Sequence, residues 1–239
     1  MLSRLYAIAD RETLTARDVS LRVFAEGLRG AGIKLLQYRD KNSSDEDVLR
    51  SARELDEVFA GTDTILILND RVELAAELGW GVHVGQGDMS VEDVRRVLAQ
   101  LDPHRQQQEA PHPFAKNAKG WATRIVEGNQ RSSELIVGVS THGPEQVAEA
   151  AMSAADYVAI GPVFVTATKA NPEPVVGLEG VQRARVLTVK PLVAIGGITL
   201  ANARAVLDAG ADSVAVIGGL FVPGRPVRDV AGDFLALLR

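Results

Sequence analysis

Residues 191–220 read PLVAIGGITLANARAVLDAGADSVAVIGGL. Two short apolar runs, Pro191 to Ile195 and Ser213 to Ile217, each end in a glycine pair, Gly196-Gly197 and Gly218-Gly219. Between them an amphipathic segment from about Leu200 to Ala209 stops at Gly210, an ordinary C-terminal helix signal. Strand, turn, helix, strand is the repeating unit of a parallel α/β protein, whose strands are buried on both faces and read as continuous apolar runs.

The same rhythm extends toward the N-terminus. Further strands are expected at Arg4 to Ala9, Ile33 to Tyr38, Thr64 to Asn69, Gly81 to Val84, Leu135 to Val139 and Asp156 to Ile160. Helices follow most of them. In Ser44 to Phe59 the acids Asp45, Glu46 and Asp47 suit the positive end of the helix, and Ser90 can cap Ser90 to Leu101 with Asp93 three residues on. Eight such pairs over 239 residues predict a closed (β/α)8 barrel, the TIM-barrel class, formed by residues 1–239 as one domain. An open doubly wound sheet is the alternative.

One stretch breaks the pattern. From 102 to 133, Pro103, Gln106 to Gln108, Pro111 and Pro113 interrupt any simple helix, and the stretch reads as an insertion. It follows a helix and precedes a strand, so a barrel would put it on the face opposite the active site, with His104 and His112 on the surface.

Composition excludes several classes. Hydrophobic residues are 46% and charged residues 24%, far from the signature of disorder. With 26 basic and 31 acidic side chains the net charge is -5, which argues against nucleic acid or an anionic membrane as partner. The chain has no cysteine, which removes disulfides, thiolate metal sites and cysteine nucleophiles and fits a cytoplasmic protein. Met1 to Asp10 carries Arg4 and Asp10 and shows no signal peptide or membrane span.

Several residues at the expected strand ends carry chemistry. Gln37, Arg39 and Lys41 recur at period two and share a side with Leu35, giving an apolar layer below a cationic rim suited to an anion. Arg39 can fork a phosphate and Lys41 offers a point charge; the plainer reading is a strand end paired with Asp40 or Asp45. Asp70 and Asp88 follow consecutive strands. As a pair they suit magnesium, which takes one or two carboxylates and completes its shell with phosphate and water, whereas singly either could cap the next helix. His83, inside a short apolar strand, reads as a structural histidine. Thr166, Thr168 and Lys169 combine hydroxyls with an ammonium, and the glycine pairs after strands seven and eight match the usual phosphate pocket of such barrels. Ser140 and His142 lack a nucleophile-elbow context and a third partner, which weighs against a hydrolase.

Together these residues resemble the thiamine phosphate synthase family. The resemblance rests on Gln37-x-Arg39-x-Lys41, Asn69-Asp70-Arg71-Val72-Glu73-Leu74-Ala75, residues 81–88 (GVHVGQGD), 138–142 (GVSTH) and 161–169 (GPVFVTATK), with Gly196-Gly197-Ile198 and Ala215-Val216-Ile217. It spans about Leu5 to Leu220. The family joins hydroxymethylpyrimidine diphosphate to hydroxyethylthiazole phosphate, or its carboxylated form, by a dissociative route that needs no protein nucleophile.

The resemblance implies that Gln37, Arg39, Lys41, Asn69 and Lys169 hold the pyrimidine diphosphate, with Ser140 beside the pyrimidine. Arg39, Lys41, Ser140 and Lys169 would then lie nearest the chemistry. Asp70 and Asp88 would hold Mg²⁺; Thr166, Ala167, Thr168, Gly197, Ile217 and Gly218 would take the thiazole phosphate. Expected partners are small phosphorylated substrates, with a homo-oligomer left open. Family members often carry serine at the place of Gly218 and an acid at that of Gly87. Two rivals remain at this point: a thiazole tautomerase using a base such as His142, which would not need the full cationic set and both aspartates, and a catalytically silent phosphate binder.

Overall fold

Period-two alternation along each strand sends one set of side chains inward and the other against the helices, and closure of the sheet makes both sets cores. The computed structural model describes residues 2–101, 135–166 and 173–239. Its strands are β1 (Leu5–Asp10), β2 (Leu35–Arg39), β3 (Ile65–Asn69), β4 (Gly81–Val84), β5 (Val137–Thr141), β6 (Tyr157–Ile160), β7 (Leu192–Ile195) and β8 (Ser213–Val216). They pair in parallel in sequence order, and β8 returns to β1, so the barrel is closed and the open-sheet alternative is excluded.

Outside the barrel lie α1 (Arg11–Ala16), α2 (Leu21–Ala31), α3 (Asp45–Phe59), α4 (Val72–Leu78), α5 (Val91–Leu101), α6 (Pro144–Met152), α7 (Gly177–Leu187), α8 (Ala203–Asp208) and α9 (Val227–Leu237). The large core between strands and helices includes Leu36, Leu68, Val82, Val158 and Val214, facing Phe24, Leu28, Leu55, Val206 and Phe234. The smaller core inside the barrel is Tyr6, Ile8, Leu35, Ile67, Tyr157, Ala159, Val193 and Ala215. Leu35 therefore faces inward below Gln37, as the alternation predicted. Among the described residues no helix is long and apolar enough to cross a membrane.

The predicted cap at Ser90 forms, its Oγ accepting from the Asp93 N–H at 3.2 Å, and Ser44 Oγ likewise accepts from the Asp47 N–H at 3.2 Å. Most strands, β1 and β2 among them, start one or two residues later than expected, and three further differences have a local cause. The helix expected from Leu200 starts at Ala203, because Asn202 Oδ1 accepts from Thr199 N–H at 2.8 Å and holds a turn there. Strand β5 runs two residues later than expected, set by the pairings His83 with Gly138 and Thr141 with Ile160. Ile217 leaves β8 and precedes a 3₁₀ turn, Gly218–Leu220. The expected insertion at 102–133, with His104 and His112, lies outside the described residues.

Gly138 faces inward on β5, and its missing side chain gives the Tyr157 ring room to cross the barrel. A Cβ there would lie 2.0 Å from Tyr157 Cζ and 2.4 Å from its hydroxyl oxygen. Gly138→Ala is therefore expected to destabilise the protein by roughly 1–3 kcal/mol through overpacking. The check is a urea melt with a lowered midpoint at unchanged slope; an unchanged midpoint would show that the ring can move aside freely.

Candidate functional site

The predicted residues that the structure describes gather where the strands end. Arg39, the last residue of β2, sits in register beside Asp10, the last of β1. Asp10 is 1% exposed. One of its oxygens accepts from Thr13 N–H at 2.9 Å and Thr13 Oγ1 at 2.6 Å, capping α1, and the other takes the Arg39 guanidinium. The plainer expectation for Arg39, a pair with Asp40 or Asp45, is thus corrected. Asp40 instead shapes the following turn, accepting from the N–H groups of Asn42 and Ser43, and Asp45 pairs with Arg71. Arg71 also donates to the Ser43 carbonyl at 2.9 Å, fastening the loop that carries Lys41 to the loop that carries Asp70.

Asp70 has a φ of 64°, in the left-handed region that costs a residue other than glycine about 1–3 kcal/mol. Its N–H donates to the His83 carbonyl at 2.9 Å, and Lys41 Nζ lies 3.1 Å from its carboxylate. Burial pushes the Asp70 carboxyl above its usual value, Lys41 pulls it back, and the neighbouring Asp88 charge pushes it up again. The two carboxylates are therefore brought together. Neither caps a helix: α4 begins after Arg71 with no side-chain cap, and α5 is capped by Ser90. Asp88 Oδ2 instead accepts from the Gly85 N–H at 2.8 Å, closing its own loop.

Beneath this rim a line of polar side chains crosses the barrel. Gln37 Nε2 donates to the Tyr6 hydroxyl at 2.8 Å, and the Tyr6 and Tyr157 hydroxyls lie 2.9 Å apart. Tyr157 reaches His83 Nδ1 at 2.9 Å, and His83 Nε2 reaches Ser140 Oγ at 2.8 Å. Burial raises both phenols above their ordinary values, so each keeps its proton. His83 is structural, as predicted, but it also joins Ser140 to Gln37. The Ser140–His142 pair does not form, since His142 Nδ1 hydrogen-bonds the Gly161 carbonyl at 2.6 Å instead. Sequence reasoning missed Asp10, Tyr6 and Tyr157. Their signal was polar character at inward positions of β1 and β6.

Across the mouth, the loops after β6, β7 and β8 stack on one another. Val163 N–H donates to the Ile195 carbonyl at 2.8 Å and Phe164 N–H to the Gly196 carbonyl at 3.0 Å. Gly197 has a φ of 65°, and a Cβ on it would lie 2.5 Å from the Val165 carbonyl oxygen, so this approach requires glycine. Gly218 has neither constraint: nothing lies within 4 Å of where its Cβ would be. Serine, common there in the family resembled, would fit. Thr166 stands on this side, while Ala167, Thr168 and Lys169 lie outside the described residues. Asn69 ends β3 beside Asp70, in register with His83.

The family model for thiamine monophosphate synthase matches residues 5–101 and 125–220, leaving 102–124 outside the match. The thiamine-phosphate synthase of Koribacter versatilis is 42% identical, the match covering 99% of this chain and 96% of that one. That of Albidiferax ferrireducens is 36% identical over 93% of this chain and 86% of its own length. Among solved structures, thiamine phosphate pyrophosphorylase from Pyrococcus furiosus superposes with a TM-score of 0.72 at 26% identity, covering 98% of this chain and 95% of that one.

The Asp10–Arg39 pair yields a prediction of its own. Asp10→Ala strands a largely buried guanidinium and removes the cap of α1 together, and is expected to cost about 3 kcal/mol. Asp10→Asn should cost less, because it keeps a capping oxygen. Equal urea midpoints for wild type and Asp10→Ala would contradict this.

Proposed function

Because the chain belongs to the thiamine monophosphate synthase family, we propose that it joins hydroxymethylpyrimidine diphosphate to hydroxyethylthiazole phosphate, giving thiamine phosphate and diphosphate. The observation that carries this reading is the meeting of Asp70 and Asp88 beside Lys41, on the side of the mouth opposite the Gly197 and Gly218 turns. A tautomerase or a silent phosphate binder has no use for that constellation.

The donor set fits magnesium: two oxygen ligands crowd into one place, and among the described residues no cluster of three or more His, Asp or Glu offers a softer or all-protein cage. When bound there, the ion would supply positive charge to the diphosphate oxygens. Arg39 can fork the same diphosphate, with its guanidinium aimed by Asp10. Lys41 can turn from Asp70 toward the leaving group, and Lys169, three residues after Thr166 in the sequence, would add a second ammonium. Charge accumulates on diphosphate as its carbon–oxygen bond breaks, so cations placed in advance lower the barrier most there. The thiazole nitrogen then attacks the pyrimidine methylene. Holding the thiazole phosphate falls to Thr166, Ala167, Thr168 and the backbone at Gly197, Ile217 and Gly218. Gln37, Asn69 and Ser140 would hold the pyrimidine. Lack of cysteine suits work in the reducing cytoplasm.

The test mixes the protein with both substrates, with Mg²⁺ or excess chelator, and measures thiamine phosphate by fluorescence after oxidation. Product is expected only with Mg²⁺, and Asp88→Ala should lower the rate more than about tenfold at limiting Mg²⁺. Folded protein that gives no product sinks the reading. Full activity of Asp88→Ala at limiting Mg²⁺ removes Asp88 from the metal role.

A further inference from the structure

The polar line across the barrel has a direction. A tyrosine hydroxyl has one proton, and a neutral imidazole has one N–H and one acceptor nitrogen. Gln37 Nε2 donates to Tyr6, so Tyr6 gives its own proton to Tyr157, and Tyr157 gives its own to His83 Nδ1. The imidazole proton is then on Nε2 and goes to Ser140 Oγ. Ser140 accepts that bond and keeps its hydroxyl proton to donate elsewhere. Gln37 keeps Oε1 as an acceptor, and no fully buried side-chain oxygen among the described residues lacks a partner, so Oε1 is open to the cavity.

The opposite order is the only other complete one. Ser140 would spend its proton on His83 Nε2, His83 would donate from Nδ1, and the phenols would pass the direction on to Gln37 Oε1. The groups offered to a ligand would then be reversed. Gln37 would present N–H and Ser140 a lone pair. The direction of the line therefore decides which face of hydrogen-bonding chemistry the pocket floor shows.

We propose that Tyr6, Tyr157 and His83 are positioning residues that fix this direction, so that the floor offers an acceptor at Gln37 and a donor at Ser140. The ligand chemistry that fits is a planar nitrogen heterocycle carrying an exocyclic amine, which gives an N–H to Gln37 and takes a hydrogen bond from Ser140 on a ring nitrogen. The aminopyrimidine substrate has both groups. This extension rests on the reading that Gln37 and Ser140 face the pyrimidine. It adds that their recognition is set from β1, β4 and β6, by residues that need not touch the substrate. Gly138 is what lets the line close, because its missing side chain leaves the Tyr157 ring its path to His83.

The test reads the His83 tautomer in the unliganded protein, by long-range ¹H–¹⁵N correlation of ¹⁵N-histidine-labelled material at mildly alkaline pH, with His83 assigned from a His83→Asn sample. Wild type is expected to carry the proton on Nε2. Gln37→Glu supplies a carboxylate that only accepts, and is expected to move the proton to Nδ1. Tyr157→Phe should abolish the preference and raise KM for hydroxymethylpyrimidine diphosphate about tenfold, the loss of one oriented hydrogen bond, with KM for the thiazole phosphate unchanged. An Nδ1–H tautomer in wild type, or the same tautomer in wild type and Gln37→Glu, overturns the proposal. If the tautomers behave as stated but hydroxymethylpyrimidine diphosphate leaves the His83 signals unmoved on titration, the direction stands and the assignment of the pyrimidine to this floor fails.

Discussion

Tyr6, Tyr157, His83 and Gln37 are polar groups buried inside a barrel otherwise filled by Ile8, Leu35, Ile67 and Val193. Burial obliges each polar atom to find a partner, because an unpaired one costs about 1–3 kcal/mol in such surroundings. The four meet that demand with one another and with Ser140, in a line that joins β2, β1, β6, β4 and β5. Below the line the barrel is apolar and closed. Above it the strands end in charges. The line is thus the floor on which the site is built, and the register of five strands must be right for it to exist.

The rim above divides by charge. On the β2–β4 side, Arg39 is held by Asp10, while Lys41, Asp70 and Asp88 lie within reach of one another. Asp70 keeps a left-handed backbone that only its surroundings can enforce, as strained residues at functional sites commonly do. On the β6–β8 side the loops interlock closely enough that Gly197 admits no side chain. Under the proposed function, a substrate with a diphosphate and one with a single phosphate would match these unequal halves, the larger charge going to the side with the cations and the carboxylate pair.

Much of this was legible in the sequence because it depends on local pattern. Period-two alternation placed Leu35, Gln37 and Arg39 on one side, apolar runs marked all eight strands, and the acids Asp45 to Asp47 and the cap Ser90 announced their helices. What was not legible depends on register between distant segments. Asp10 pairs with Arg39 only because β1 and β2 align those residues, and nothing near Arg39 in the chain points to it; Asp40 and Asp45, its sequence neighbours, were the wrong partners. Tyr6 and Tyr157 are 151 residues apart, and their contact follows from closure of the barrel together with the space at Gly138. Aspartate tolerates the left-handed region better than most residues, but nothing in the sequence marks Asp70, rather than any other aspartate, as the one that adopts it.

The division of the mouth into a diphosphate–metal half and a phosphate half is tested most directly by a crystal structure of the protein with thiamine phosphate, diphosphate and Mn²⁺ in place of Mg²⁺. The account predicts an anomalous peak between the carboxylates of Asp70 and Asp88, diphosphate against Arg39 and Lys41, and the product's phosphate at the Gly197 and Gly218 turns. A manganese peak away from both aspartates, or diphosphate seated at the glycine turns, would contradict it.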